Sequence, residues 1–248
     1  MKNSDLKEER IKQFIHKNHN LVREYYDCYY KRYKDVDFKE QLRILFVNAL
    51  SAGGEGKISD KASSIRLFES KIKEMHKPTY HELLRVFNVR SYQELFESFK
   101  KFKQMGPKKS ALFLRDIFYF ENIILECPVD FKKKFFVPVD RVILRTMNSI
   151  FPRSYALPKA FDEINKLSKT IFPDEPILME DFWFWGRFYR CKEEKENNKI
   201  PYCKFNEDLL YVDKDVTKEY RKKMIEFAKS HVNCPFKEIC NKQNGERT

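Results

Sequence analysis

Three groups of residues in this chain have the types and spacing that chemistry requires. Lys108 and Lys109 follow a Gly106-Pro107 break in the run KQMGPKK, with Lys101 and Lys103 just upstream. A helix, a tight Gly-containing turn and a second helix can present backbone N–H groups at a helix start to a phosphate. Gly106 allows close approach of another backbone, and Pro107 cannot continue the preceding helix. Ordinary helical hairpins share this pattern, and their lysines are then plain surface. Asp140 precedes the apolar helical pattern RVILRTMN at Arg141–Asn148. Its ordinary role there is an N-cap, and its chemical role would be a fixed carboxylate. Cys191, Cys203, Cys234 and Cys240 all fall within the last 58 residues. Four thiolates can hold a [4Fe–4S] cluster or a tetrahedral zinc, and His231 could replace one thiol at zinc. The alternative is that these cysteines are small buried apolar side chains without metal; Cys28 and Cys127 are expected to be ordinary core or linker residues.

Helices must position these residues. Apolar residues recur at helical spacing over 6–33 (Phe14, Leu21, Tyr25, Cys28, Tyr29) and over 38–50 (Leu42, Leu45, Phe46, Leu50). Ser51–Lys57 (SAGGEGK) reads as a loop, with Ser59 or Asp60 capping a helix that runs to about Met75. Ser91 with Glu94 makes a capping box for Tyr92–Phe102. After Gly106-Pro107 another apolar helix reaches about Leu125, and Cys127–Pro138 is a linker. Further helices are expected over Val142–Ile150, Lys159–Ile171 and Lys214–Ser230. The run Phe182–Tyr189 (FWFWGRFY) is the densest aromatic cluster, read as core packing ahead of a base-stacking wall. Strand alternation is nearly absent, so the expected class is all-α.

The bulk numbers restrict the partners. Net charge is +12, from 49 Lys and Arg against 37 Asp and Glu, which favours a polyanion such as nucleic acid but also suits a plain Lys-rich surface. The 42% hydrophobic content and 23 Phe argue for a folded rather than a disordered chain. No apolar run approaches the ~18 residues that span a bilayer. The charged start MKNSDLKEER is unlike a signal peptide. An intracellular, cytoplasmic protein with reduced thiols is therefore expected, and a thiol cluster reads as metal-binding before disulfide.

The order of hairpin and aspartate resembles the helix-hairpin-helix DNA glycosylase superfamily. Val139-Asp140 with Ile143, Arg145 and Asn148 resembles the catalytic-aspartate segment of endonuclease III and its relatives. Lys109, before Ser110 and Ala111, is in register with the lysine of the bifunctional members, with Lys108 its neighbour and competitor. The resemblance covers roughly residues 40–150. It departs from the usual hairpin in having a single glycine, and 30 residues lie between Lys109 and Asp140. That wide spacing, and Val47-Asn48-Ala49-Leu50 before a Gly-Lys loop, are similar to the archaeal 8-oxoguanine glycosylases. Cys234-Pro235-Phe236-Lys237-Glu238-Ile239-Cys240 resembles the end of the endonuclease III iron–sulfur motif, although Cys191 and Cys203 lie farther upstream than that motif has them.

The resemblance implies a two-lobed, all-α fold. One lobe would be a six-helix barrel over 41–135, with the hairpin near 92–120. The other would combine 1–40 with 136–248. Duplex DNA carrying a damaged base, chiefly 8-oxoguanine, would be bound by a monomer through Met105, Gly106, Pro107, Lys108 and Ser110. A glycosylase takes its base out of the stack into a pocket. Asp140 would stabilise positive charge developing on the sugar. Lys109, as a neutral amine, would attack C1′, and the Schiff base would permit strand nicking. Without that lysine chemistry, Asp140 with an activated water would give a monofunctional glycosylase. A hairpin protein that binds DNA without catalysis, and a zinc-stabilised RNA-binding protein, are the alternatives.

Overall fold

The computed structural model describes residues 3–31, 33–53, 56–119, 132–151, 154–156, 158–192, 202–230 and 239. The described residues are mostly helical. The helices are α1 (Asn3–Lys31), α2 (Phe38–Ser51), α3 (Ile58–Ile72), α4 (Tyr80–Phe87), α5 (Tyr92–Lys100), α6 (Pro107–Tyr119), α7 (Arg141–Ile150), α8 (Ala160–Ile171), α9 (Asp181–Phe188), α10 (Asp208–Val212) and α11 (Lys218–Ser230). A 3-10 turn, Pro176–Glu180, leads into α9. After α9, β1 (Tyr189–Lys192) pairs antiparallel with β2 (Tyr202–Phe205). The sequence did not announce this ladder, because four-residue strands carry too little alternation to read. No helix among the described residues is long and apolar enough to cross a membrane.

Helix starts follow local chemistry. Ser91 accepts from the Glu94 N–H at 3.2 Å, and the Glu94 carboxylate reaches back to the Arg90 N–H at 2.8 Å. Thr79 caps α4 in the same way, and Asn88 ends it in the left-handed conformation at φ 54°. Helix α3 departs from expectation. It begins at Ile58, after a Lys57 cap with no side-chain bond. Asp60 instead meets Lys103 Nζ at 3.3 Å and Gln104 Nε2 at 3.4 Å.

The chain divides into two compact units. One comprises Met1–Arg32, Val139–Ile164 and Leu178–Thr248, and the other Tyr33–Pro138 with Asn165–Ile177. Asn165 helps tie the second stretch of the latter to the first. Its amide accepts from the Val137 N–H at 2.6 Å and donates to the Val137 carbonyl at 3.2 Å. The Tyr33–Pro138 unit is built around phenylalanines from successive helices. Phe46 stacks on Phe68 with ring centroids 4.1 Å apart, and Phe113 of α6 meets Phe46, Phe68 and Phe99 edge-on. The other unit packs α1 against α9. Phe14 meets Trp185 at 5.6 Å and Tyr25 meets Phe184 at 5.3 Å. The aromatic run of α9 is thus largely core, with Phe182, Phe184, Trp185 and Phe188 fully buried.

Candidate active site

The candidate residues belong to different units: Lys109 and the hairpin to the Tyr33–Pro138 unit, Asp140 to the unit that begins again at Val139.

Lys109 occupies the first turn of α6. Phe113 is one turn later, on the same face, and is buried in the phenylalanine core. That anchor turns the Lys109 side chain inward, toward α2. Its Nζ donates to the Leu50 carbonyl at 2.6 Å. Leu50 lies in the last turn of α2, whose carbonyls lack helical partners. No carboxylate pairs with Lys109 among the described residues. Burial, then the cations of Lys61 and Lys108, hold its amine below the ordinary lysine range. Lys108, one residue earlier, reaches the chain just past the end of α2. Its Nζ lies 3.0 Å from where a Cβ on Gly53 would be, and Gly53 has φ +80°. The two lysines, adjacent in sequence, therefore differ in environment.

The rest of the hairpin splits into an inner and an outer set. Met105 is 2% exposed and Ser110 fully buried. The Met105 side chain packs in the core, and the Ser110 hydroxyl is buried with no hydrogen-bond partner among the described residues. The Ser110 N–H already bonds the Gly106 carbonyl at 3.0 Å. Gly106 and Pro107 are exposed. Pro107 opens α6, where its missing N–H would have had no helical acceptor. The Lys108 and Lys109 N–H groups then form the helix start, the kind of donor pair that receives phosphate oxygens. A Cβ on Gly106 would meet nothing within 4 Å, and its φ is not positive. Nothing in the protein's own packing requires glycine there.

Asp140 is the N-cap of α7. Its Oδ1 accepts from the Val142 and Ile143 N–H groups at 2.8 and 2.9 Å, with extended backbone at φ −116°. Its Oδ2 accepts from the indole N–H of Trp183 at 2.9 Å. The cap and the fixed carboxylate are one arrangement. Asn148, which also belongs to this segment, braces the turn after α7 by bonding both the N–H and the carbonyl of Tyr155. Arg145 Nη2 donates to the Gly186 carbonyl at 2.9 Å and so links α7 to α9.

Comparison with models of known protein families, with characterised proteins and with solved structures found no match.

Trp183 is the contact at Asp140 that sequence reasoning missed. A signal was present: Phe182, Phe184, Trp185 and Phe188 fill the buried side of α9, which leaves Trp183 and Arg187, at i and i+4, sharing another stripe. The Arg187 guanidinium lies over the Trp183 ring, 5.2 Å from its centroid.

Cys191 and Cys203 are directly opposite in the β1–β2 ladder. Cys234, Cys240 and the alternative ligand His231 lie outside the described residues. Among the described residues, no group of three or more His, Cys, Asp or Glu is gathered as a metal would need.

Proposed function

We propose that this chain is a DNA glycosylase of the helix-hairpin-helix kind, which removes a damaged base from duplex DNA and nicks the resulting abasic site. The observation that carries the reading is Lys109: a partly buried amine beside two cations, with a carbonyl as its one hydrogen-bond acceptor among the described residues. An amine nucleophile must be neutral, and desolvation with neighbouring positive charge is the means by which proteins make it so. A neutral amine can still donate one N–H to Leu50 and keep its lone pair for the sugar.

In the proposed reaction the flipped nucleoside loses its base as positive charge develops on the sugar. Asp140, held through both oxygens, is assigned the stabilising of that charge with little reorganisation. Lys109 Nζ bonds C1′, the C1′–N bond to the base breaks, and the base departs with a proton. Loss of a proton from the secondary amine and opening of the sugar ring give a Schiff base. Abstraction of a C2′ proton then expels the 3′ phosphate. The favoured substrate is 8-oxoguanine, on the wide Lys109–Asp140 spacing.

The rival is a hairpin module that binds DNA without chemistry. Two contacts favour it, since bonding Leu50 and capping α7 are both structural tasks. Borohydride reduction separates the readings. An enzyme working through a Schiff base is trapped on duplexes carrying 8-oxoguanine or an abasic site, and a mere binder is not.

The hairpin supplies a second check. Gly106→Ala is expected to leave thermal stability equal or slightly higher, because the added methyl meets open space and restricts the unfolded chain. Its affinity for duplex DNA is expected to fall about tenfold, roughly the 1.5 kcal/mol of one bond to a charged phosphate. Unchanged affinity would remove the hairpin from the DNA interface.

The C-terminal thiols are proposed to hold a [4Fe–4S] cluster, with zinc as the alternative. The opposed Cys191 and Cys203 suit either, with Cys234 and Cys240 completing the set. Such a group would fasten the tail and has no step in the reaction. A brown protein absorbing near ~400 nm would mark iron–sulfur rather than zinc.

A further inference from the structure

We propose that Trp183 is a positioning residue, which fixes the plane of the Asp140 carboxylate for the glycosylase step. The role rests on the glycosylase reading above. Helix capping needs one carboxylate oxygen, and Oδ1 meets that need by accepting from Val142 and Ile143. Capping alone leaves the second oxygen to solvent or to any passing donor. Here Oδ2 accepts the indole N–H of Trp183, from a helix 43 residues away in sequence. Both oxygens then have assigned donors, and rotation of the carboxylate would break one bond or the other.

The indole is itself held. The Arg187 guanidinium covers its ring, and Arg187 Nη2 lies 3.6 Å from Asp213 Oδ2, which also accepts the Tyr25 hydroxyl. Helix α9 sits close on α7 at Gly186, where a Cβ would lie 2.0 Å from Thr146 Oγ1 and 3.2 Å from a Val142 methyl. Arg145 closes the same crossing through the Gly186 carbonyl. The two helices are thus set in one register, and that register sets Trp183 on Asp140. Burial does not explain the choice of tryptophan. Trp183 is only partly buried, and the core face of α9 is already filled by Phe182, Phe184, Trp185 and Phe188. A phenylalanine would give the same cover for Arg187. What tryptophan adds is an indole N–H donor, and its acceptor is the proposed catalytic carboxylate.

Trp183→Phe keeps the ring and removes the donor. The test compares single-turnover base release and duplex affinity on DNA carrying 8-oxoguanine, thymine glycol or uracil. The expected result is release slowed at least tenfold, affinity within twofold of wild type, and partial recovery of rate in Trp183→His, which restores an N–H. A merely structural residue would instead lower rate and affinity together, and that result overturns the proposal. If neither variant folds, the wild-type indole signals decide. The chain has two tryptophans, and one indole N–H resonance is expected to move upfield in Asp140→Asn; no movement of either overturns the proposal. Wild-type protein that releases no base from any of the three duplexes overturns the glycosylase reading and this role with it. A wild-type rate in Trp183→Phe, beside active wild-type protein, overturns the positioning role alone.

Discussion

Lys109→Ala is expected to give no borohydride-trapped adduct with abasic or 8-oxoguanine DNA, while Lys108→Ala is still trapped. The contrast follows from where the two adjacent side chains go. Helix α6 brings Lys109 onto the Leu50 carbonyl, whereas the Lys108 amine lies beside Gly53, past the end of α2. Adduct formation requires a covalent Nζ–C1′ bond, so the loss in Lys109→Ala is complete rather than graded. Folding is expected to survive. The variant forfeits one hydrogen bond, worth about 0.5–1.5 kcal/mol, and relieves some desolvation of the amine in exchange. A thermal melt distinguishes loss of fold from loss of nucleophile. The pH dependence carries a sign as well. Trapping needs the neutral amine, so its rate is expected to rise with pH through a midpoint below the ordinary lysine value. Lys61→Ala or Lys108→Ala removes a neighbouring cation, favours the ammonium and moves that midpoint upward. Linkage agrees in direction. Between the lowered folded pKa and the ordinary one, the unfolded chain binds more protons at this site. Lys109's contribution to stability therefore improves as pH rises across that window and is least favourable below it. A midpoint that stays put in both variants would contradict the electrostatic account of the amine.

Asp140→Asn is expected to separate a cap from a catalyst. Asparagine caps helices about as well as aspartate, so α7 keeps its bonds to Val142 and Ile143, and the melting temperature falls only by what the lost Trp183 bond to Oδ2 contributes, about 1 kcal/mol. The negative charge is gone, however, and with it the stabilisation of the developing cation. Base release is expected to fall by about 10²–10³-fold, the scale of losing one preorganised electrostatic group. Asp140→Ala is expected to lose both, with stability lower by about 1 kcal/mol. If Asp140 were a cap alone, Asp140→Asn would release base at the wild-type rate.

Much of the frame was legible because helices announce themselves by period and by caps. Ser91 with Glu94, Asp140 before α7 and the Gly106-Pro107 break are local signals whose chemistry lies within a few residues of the feature it makes. What could not be read is what the tertiary fold alone brings together. Nothing near Asp140 in sequence points to Trp183. Nothing near Lys109 points to Leu50, although a turn later Phe113 belongs visibly to a core face. The capping of α3 was misplaced because Asp60 finds better partners in Lys103 and Gln104 across the fold. The β1–β2 ladder escaped because its strands are short, and with it escaped the pairing of Cys191 with Cys203. Asn165 shows the same limit: its side chain joins Asn165–Ile177 to the unit of Val137, not to its neighbours in sequence.

The central claim is that this chain cuts a damaged base from DNA through a lysine Schiff base. The most direct measurement incubates wild-type protein with duplexes carrying 8-oxoguanine, an oxidised pyrimidine, uracil or an abasic site, with and without borohydride. The predicted result is release of free base from at least one lesion, 8-oxoguanine first, together with a covalent protein–DNA adduct that Lys109→Ala does not form. No base release and no adduct from any duplex would contradict the account and leave a DNA-binding hairpin protein in its place.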